Sequence, residues 1–134
     1  MHKVTGDNFE CAVILVVDGE ELPRLISAAY LKEAGFRVLE SADADNALKL
    51  LESRTDIRAV VLDAAIPGTI DGTALAQRIY QRWPRIGLLI VSRRKRPKTP
   101  TLPPDTAFLS KPYFGPSIVG HLRAIIDANP MKRK

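Results

Sequence analysis

The sequence predicts an α/β fold in three layers, α/β/α, with helices on both faces of a doubly wound, five-stranded parallel sheet. Short apolar runs rich in β-branched residues alternate with amphipathic segments of helical spacing. This alternation is typical of parallel strands that are buried on both faces and joined by right-handed crossovers. The length of 134 residues allows about one domain. We expect a domain at 11–129, an N-terminal tail at 1–10 and a basic C-terminal tail at 130–134.

The first half of the chain predicts three strands separated by two helices. Apolar runs predict strands at 12–17, 36–40 and 57–62. Apolar residues recur at helical spacing between them: Leu22, Leu25, Ile26 and Ala29 in the first helix, and Ala44, Ala47, Leu48 and Leu51 in the second. Pro23 in the first turn and Gly35 just past the end are typical boundaries of the first helix.

The second half predicts two more strands and two more helices. A turn follows Pro67, where Asp71 is expected to cap a helix that runs to Pro84 and buries Leu75, Ile79 and Trp83. Strands are predicted at 86–92 and 106–110, and a last helix ends near residue 129. Between these strands, four prolines in 93–105 exclude a regular helix, so we expect an irregular segment there in place of a fourth helix.

The net charge of +5 comes from local clusters of basic residues. They are Arg93, Arg94, Lys95, Arg96 and Lys98 after the fourth predicted strand, and Lys132, Arg133 and Lys134 at the end of the sequence. Without these eight residues, the remaining twelve Lys and Arg face fifteen Asp and Glu, so the rest of the domain is mildly acidic. No helix-turn-helix follows and no aromatic residue interrupts the basic run, which makes sequence-specific DNA recognition an unfavoured interpretation.

The single cysteine, Cys11, excludes an intramolecular disulfide framework and a multi-cysteine metal site. No apolar run approaches the length of about 18 residues that a membrane span requires. The first ten residues carry Asp7 and Glu10, which a signal peptide lacks. We therefore expect a cytoplasmic protein without a membrane partner.

Polar residues end several of the predicted strands. Strand one ends at Asp18, strand three at Asp63, strand four at Ser92, and strand five is followed by Lys111. Ligands of open parallel sheets bind outside the carboxyl ends of the strands, where strand order reverses. Carboxylates, a hydroxyl and a lysine at one edge are suited to a hard cation and a phosphoryl group.

The chain resembles the receiver domain of two-component response regulators, the CheY-like family, over residues 12–128. The matching motifs are V-V-D-G-E at 16–20, V-L-D-A-A-I-P-G at 61–68, D-G at 71–72, I-V-S at 90–92 and F-L-S-K-P-Y at 108–113. Within this family, the sequence is most similar to those of single-domain receivers. The resemblance implies a signalling domain, not an enzyme, that receives a phosphoryl group from a histidine kinase or a phosphotransfer protein.

The same resemblance implies roles for individual residues. Asp63 is expected to be the phosphoacceptor, Lys111 to neutralise the transferred group, and Ser92 to bond a phosphoryl oxygen. Phe108 matches the aromatic residue that changes rotamer with Ser92 in the switch. The expected metal is Mg²⁺, held by Asp18, Asp63 and the backbone carbonyl of Ala65, with Glu20 as an uncertain further ligand.

Two positions depart from the family pattern. The second residue of the acidic pair, the direct metal ligand, corresponds to Gly19, which is expected to weaken Mg²⁺ binding. Arg93 replaces the small residue that usually follows the switch hydroxyl. We hypothesise that the Arg93 guanidinium occludes the pocket and pairs with Asp18 or Asp63, because carboxylates packed without a cation repel one another.

Three functions stay open at this point. The first is a stand-alone receiver that is phosphorylated on Asp63 and signals by protein contact, through 93–105 and the last helix. The second is a pseudo-receiver that binds its partner regardless of phosphorylation, as the departures at Gly19 and Arg93 would allow. The third is a basic accessory protein with non-specific affinity for nucleic acid, which only the basic clusters favour.

Overall fold

A computed structural model describes residues 12–93, 102–111 and 115–128 and places five parallel strands in one sheet. The strands are β1 (Val13–Val17), β2 (Arg37–Ser41), β3 (Ile57–Asp63), β4 (Gly87–Ser92) and β5 (Ala107–Ser110). Their order across the sheet is β2-β1-β3-β4-β5. The predicted strands are confirmed to within one residue at each end.

The helices are α1 (Glu21–Glu33), α2 (Ala44–Ser53), α3 (Gly72–Arg82) and α4 (Gly115–Ala128). Asp43 and Asp71 cap α2 and α3, since their carboxylates accept the backbone N–H groups of Asn46 and Ala74 at 2.8 and 2.9 Å. The cap predicted at Asp71 is confirmed.

The sheet separates two hydrophobic cores. On one face, α2 and α3 cover a cluster that includes Leu15, Leu62 and the fully buried Leu75 and Ile79. On the other face, α1 and α4 cover a cluster around Ile14. Because successive side chains of a strand point to opposite faces, the apolar runs that predicted the strands supply both cores. Trp83 packs against the first cluster, as predicted, although it is only partly buried.

The apolar residues that predicted α1 do not form its buried face. Leu22 is 67% exposed, and Leu25 and Ile26 are about half exposed. The helix instead packs through Ala28 and the fully buried Leu31. The spacing therefore predicted the helix correctly. It leaves an exposed apolar surface on the helix, which we call the α1 stripe: Leu22, Leu25, Ile26 and Tyr30.

The predicted irregular segment is described only in part. Residues 102–106 form bends and turns before β5, with no helix among them, and Asp105 has a positive φ of 65° that aspartate tolerates. Several predicted features lie outside the described residues. They are Cys11, both predicted tails (1–10 and 130–134), and Arg94, Lys95, Arg96 and Lys98 of the basic cluster. None of the described helices is long and apolar enough to cross a bilayer.

Candidate functional site

The candidate site lies at the carboxyl ends of β1 and β3, the neighbouring strands between which the chain order of the sheet reverses. Asp18 directly follows β1, and Asp63 is the last residue of β3. The two strands run in parallel register, with Val17 opposite Leu62, so both carboxylates reach the same edge. The site predicted from the strand ends is therefore assembled by the topology.

Lys111 connects the two aspartates. Its Nζ atom lies 3.3 Å from Oδ2 of Asp18 and 3.1 Å from Oδ2 of Asp63. The three side chains are largely buried, with exposures of 13% for Lys111, 8% for Asp18 and 16% for Asp63. The backbone N–H of Lys111 donates to the carbonyl of Ser92 at 2.7 Å, which extends the β4–β5 pairing and holds the lysine at this edge.

The second oxygen of each aspartate accepts a backbone amide. Oδ1 of Asp18 accepts the N–H of Glu20 at 2.9 Å, and Oδ1 of Asp63 accepts the N–H of Ala65 at 3.0 Å. Each carboxylate thus closes a tight turn after its own strand while it binds Lys111 with its other oxygen. Such local turns are a common use of aspartate at strand ends, and here they also fix the carboxylate orientation.

Two opposing effects act on the ammonium group of Lys111. Burial lowers its pKa, whereas the hydrogen bond and charge of Asp63, with the charge of Asp18, raise it. The net result is a pKa above the ordinary value, so Lys111 carries its charge at neutral pH. The edge therefore contains one permanent cation between two carboxylates.

Close backbone approach shapes the loop after Asp63. A Cβ atom at Gly72 would collide with the carbonyl oxygen of Asp63 and with Ala64, and the N–H of Gly72 donates to the carbonyl of Ala64 at 3.0 Å. Glycine is needed here because the start of α3 lies against the end of β3. The D-G pair at 71–72 thus caps the helix and lets it approach the site.

Sequence reasoning missed Arg24. From α1, its Nη1 atom donates to the backbone carbonyl of Asp18 at 2.8 Å, and its Nε atom donates to Glu40 at 3.2 Å. The guanidinium therefore ties the end of β1 to β2 directly behind the candidate site. The only signal in the sequence was a basic residue near the start of an amphipathic helix, which by itself indicates a solvated side chain.

The expectation that Arg93 pairs with Asp18 or Asp63 is wrong. Its Nη2 atom lies 3.8 Å from Oε1 of Glu20, and both side chains are mostly exposed. Lys111 already binds the two aspartates, so they need no second cation. Glu20 lies near Arg93, and no group of three His, Cys, Asp or Glu suited to a metal occurs among the described residues, so its role as a further metal ligand stays a prediction.

Comparison with known protein families shows to which family the chain belongs. The model of the response regulator receiver domain matches residues 14–102. The chain belongs to this family. Receiver domains are generally signalling domains and interact with histidine kinases or phosphotransfer proteins.

Among curated proteins, an NtrX-like response regulator of Rickettsia felis is 30% identical over 125 residues. The match covers 90% of this chain and 26% of that protein, so the chain spans about a quarter of the relative's length. The receiver protein of Sinorhizobium medicae WSM419 superposes with a TM-score of 0.83 at 24% identity, covering 90% of this chain and 98% of that one.

A third similar structure is the response regulator TrrA of Thermotoga maritima, described in complex with Mg²⁺ and BeF. Its TM-score is 0.75 at 21% identity, covering 85% of this chain and 98% of that chain. Both of these structural neighbours share the receiver fold.

The remaining positions expected from the receiver family lie at the ends of β3 and β4 and within β5. Ser92 ends β4, beside β3, and is buried; Phe108 in β5 is partly buried against the first core. Ala65 is exposed, and its backbone N–H donates to the carboxylate of Asp63. Their roles as switch residues and as a backbone metal ligand stay predictions.

The residues present do not fit the Mg²⁺ site that the family implies. Mg²⁺ in proteins is usually bound by one or two carboxylates and several waters. Here all four oxygens of Asp18 and Asp63 accept N–H donors, and the position of the family's direct acidic ligand is Gly19. Each oxygen keeps a further lone pair, but a cation bound there would lie beside the ammonium of Lys111, whose like charge opposes its binding.

Proposed function

We propose that this receiver domain accepts a phosphoryl group on Asp63 in a two-component phosphorelay and passes the signal on by protein contact. The observation that carries the proposal is the contact of Lys111 with Asp63 at the strand-order reversal, 3.1 Å between Nζ and Oδ2. It joins a partly accessible carboxylate to a fixed positive charge at the edge where parallel sheets bind ligands.

The chemistry follows from these groups. A carboxylate oxygen of Asp63 attacks the phosphorus of a phosphohistidine and forms a P–O bond. The P–N bond breaks, its electron pair stays on the departing imidazole of the donor, which ends as a neutral, protonated histidine, and the phosphoryl group becomes an acyl phosphate on Asp63. The transition state spreads negative charge over the phosphoryl oxygens, and a preoriented ammonium stabilises it without reorganisation. Lys111 supplies that ammonium, and the raised pKa keeps it charged. Ser92, at the end of the adjacent strand, is the hydroxyl proposed to bond a phosphoryl oxygen afterwards.

Intact-mass spectrometry after incubation with phosphoramidate tests this step. We expect the mass of one phosphoryl group on the wild-type chain and none on the Asp63→Asn variant. The matched control is Asp56→Asn, which removes an aspartate that pairs with Arg54 before β3 and should leave the modification unchanged. Absence of the modification on the wild type, with and without Mg²⁺, would reject the phosphoacceptor role.

The α1 stripe is the proposed contact for the protein that donates the phosphoryl group. Leu22, Ile26 and Tyr30 line one side of a groove whose other side includes Lys111. An exposed apolar surface of this kind is typical of a protein interface, and this one lies next to the acceptor. A helical donor resting on it would bring its histidine to the edge that carries Asp63. The surface predicted for the downstream partner, 93–105 with the last helix, is described only in part.

A second candidate is a domain that binds its partner independently of phosphorylation. The observation that favours it is Gly19, which leaves the site without the family's second acidic residue. One measurement distinguishes the two functions. If the first is right, phosphorylation of Asp63 should change the affinity of the domain for its partner. If the second is right, the phosphorylated wild type and the Asp63→Asn variant should bind the partner with equal affinity.

A further inference from the structure

We infer that this chain holds its acceptor aspartate with an internal cation, Lys111, in place of a divalent metal, and that Pro67 fills the space from which a second acidic ligand would act. The inference rests on the proposed function for the choice of Asp63 as acceptor. It concerns the resting site and is measured by metal affinity, which does not depend on phosphorylation.

Each carboxylate oxygen of Asp18 and Asp63 already accepts an N–H donor. Nζ of Lys111 binds one oxygen of each aspartate, and the amides of Glu20 and Ala65 bind the others. A divalent ion entering between the carboxylates must displace the ammonium or bring it close to a second positive charge. Both alternatives oppose metal binding, because like charges at such distances repel in a largely buried site.

The ring of Pro67 fills the space beside Gly19. A Cβ atom there would lie 2.6 Å from Cδ of Pro67, closer than side-chain carbons approach one another. The φ of Gly19 is not positive, so the requirement for glycine is the proximity of Pro67 and not the backbone conformation. An acidic side chain at 19 therefore requires the loop to move.

The loop that carries Pro67 is attached to α2. The carbonyl of Pro67 accepts the N–H of Ala44 at 3.3 Å, and the hydroxyl of Thr69 donates to Asp45 at 2.5 Å. Gly68 has a φ of +126°, and a Cβ atom there would press on Ala44. Pro67 is thus held against Gly19 by the first turn of α2, and displacing it breaks these contacts.

Glu20 does not take the place of the acidic residue that Gly19 lacks. Its backbone N–H closes the turn on Asp18, which directs the residue out of the edge. Its carboxylate is 63% exposed and lies near Arg93. Swinging it inward would give up that pairing and add a third carboxylate to the edge.

The test is Mn²⁺ binding, followed by the loss of the free-ion signal in electron paramagnetic resonance. We compare the wild type with Gly19→Asp and Gly19→Asn, each alone and combined with Pro67→Ala. The asparagine variants match the aspartates in size and lack only the charge. Lys111→Met tests the effect of the ammonium on metal binding without adding volume near Pro67. Circular dichroism reports whether each variant folds.

We expect Gly19→Asp with Pro67→Ala to bind Mn²⁺ at least about 10-fold more tightly than the wild type and than its asparagine counterpart. Lys111→Met should also bind more tightly than the wild type, because it frees two oxygens. Gly19→Asp alone should gain less than the double variant. Equal gains with and without Pro67→Ala would overturn the role of Pro67.

Wild-type affinity within about threefold of the Gly19→Asp, Pro67→Ala variant would overturn the inference as a whole, whatever the state of Asp63. The same holds if Lys111→Met binds no more tightly than the wild type. Failure of the proposed function is a separate result: it is the absence of phosphate on Asp63 by mass, and it leaves these metal affinities as they are.

Discussion

The Nζ atom of Lys111 lies 3.1 Å from Oδ2 of Asp63, although 48 residues separate the two in the sequence. The contact exists because β3, β4 and β5 are neighbours in parallel register, with Asp63 opposite Val91 and Ser92 opposite Ser110. Lys111 directly follows β5 and therefore reaches across β4 to the end of β3. This geometry makes Lys111 and Asp63 energetically dependent on each other.

A double-mutant cycle on Lys111→Met and Asp63→Asn measures that dependence. Lys111→Met should destabilise the domain, because it leaves two largely buried carboxylates without their cation. Asp63→Asn should cost less in the Lys111→Met background than in the wild type, with a coupling of roughly 1–3 kcal/mol in the free energy of urea unfolding. Additive effects within about 0.5 kcal/mol would show that the pair contributes nothing.

Arg24→Met should lower the free energy of unfolding by roughly 1–3 kcal/mol, since hydrogen bonds to and from charged groups are worth about that much. The change removes the donors to the Asp18 carbonyl and to Glu40. Glu40→Gln is the matched control: it weakens the ion pair and leaves the bond to Asp18. Equal losses for both variants, measured by urea denaturation, would place the whole effect in the Glu40 pair.

Replacing the α3 cap by Asp71→Ala should destabilise the domain by about 1 kcal/mol. The hydrogen bond from the N–H of Ala74, with a smaller contribution from Thr73, lowers the pKa of Asp71, whereas burial raises it. The net pKa is below the ordinary value. A lowered pKa means that this stabilisation is complete above the unfolded value, about 3.9, and is lost as the pH falls through the folded value.

The control for the cap is Asp71→Asn, which keeps an acceptor for Ala74 and removes the titrating charge. The difference in unfolding free energy between wild type and Asp71→Asn should therefore shrink as the pH falls below about 4. A difference that grows over this range would contradict the lowered pKa of Asp71.

Changing Leu22 and Ile26 to serine should reduce the rate of phosphoryl transfer from a protein donor by about 10-fold or more, because truncating an important interface residue weakens binding by more than about 1 kcal/mol. Phosphorylation by phosphoramidate should be unchanged. Stability should change little, because both side chains are about half exposed or more. Rates of transfer from a phosphorylated histidine kinase or phosphotransfer protein provide the measurement.

The matched control is Leu31→Ala on the same helix. Leu31 is fully buried, so its truncation should cost about 2–5 kcal/mol of stability. Under conditions where the variant stays folded, its rate of transfer should be close to that of the wild type. Slower reaction of the serine variants with phosphoramidate as well would mean that the stripe supports the site instead of the donor.

The sequence by itself determined the fold and the edge at which the site lies. Strands buried on both faces must be apolar throughout, so the runs before Asp18, Asp63 and Ser92 predicted both the strands and where they end. Parallel topology then brings those ends together, which is why the polar residues after them could be grouped without coordinates. Local chemistry was equally readable where it depends on near neighbours, as at the Asp71 cap.

Only the tertiary structure decided which side chains meet at that edge and which helix face stays exposed. Charge alone did not distinguish Arg93 from Lys111 as the partner of the aspartates; the β4–β5 register places Lys111 there and leaves Arg93 beside Glu20. The spacing of Leu22 and its neighbours predicts a helix but not its orientation, since that follows from how α1 packs through Leu31. The contact of Pro67 with Gly19 is likewise invisible in the sequence, because it arises from a loop held by a distant helix.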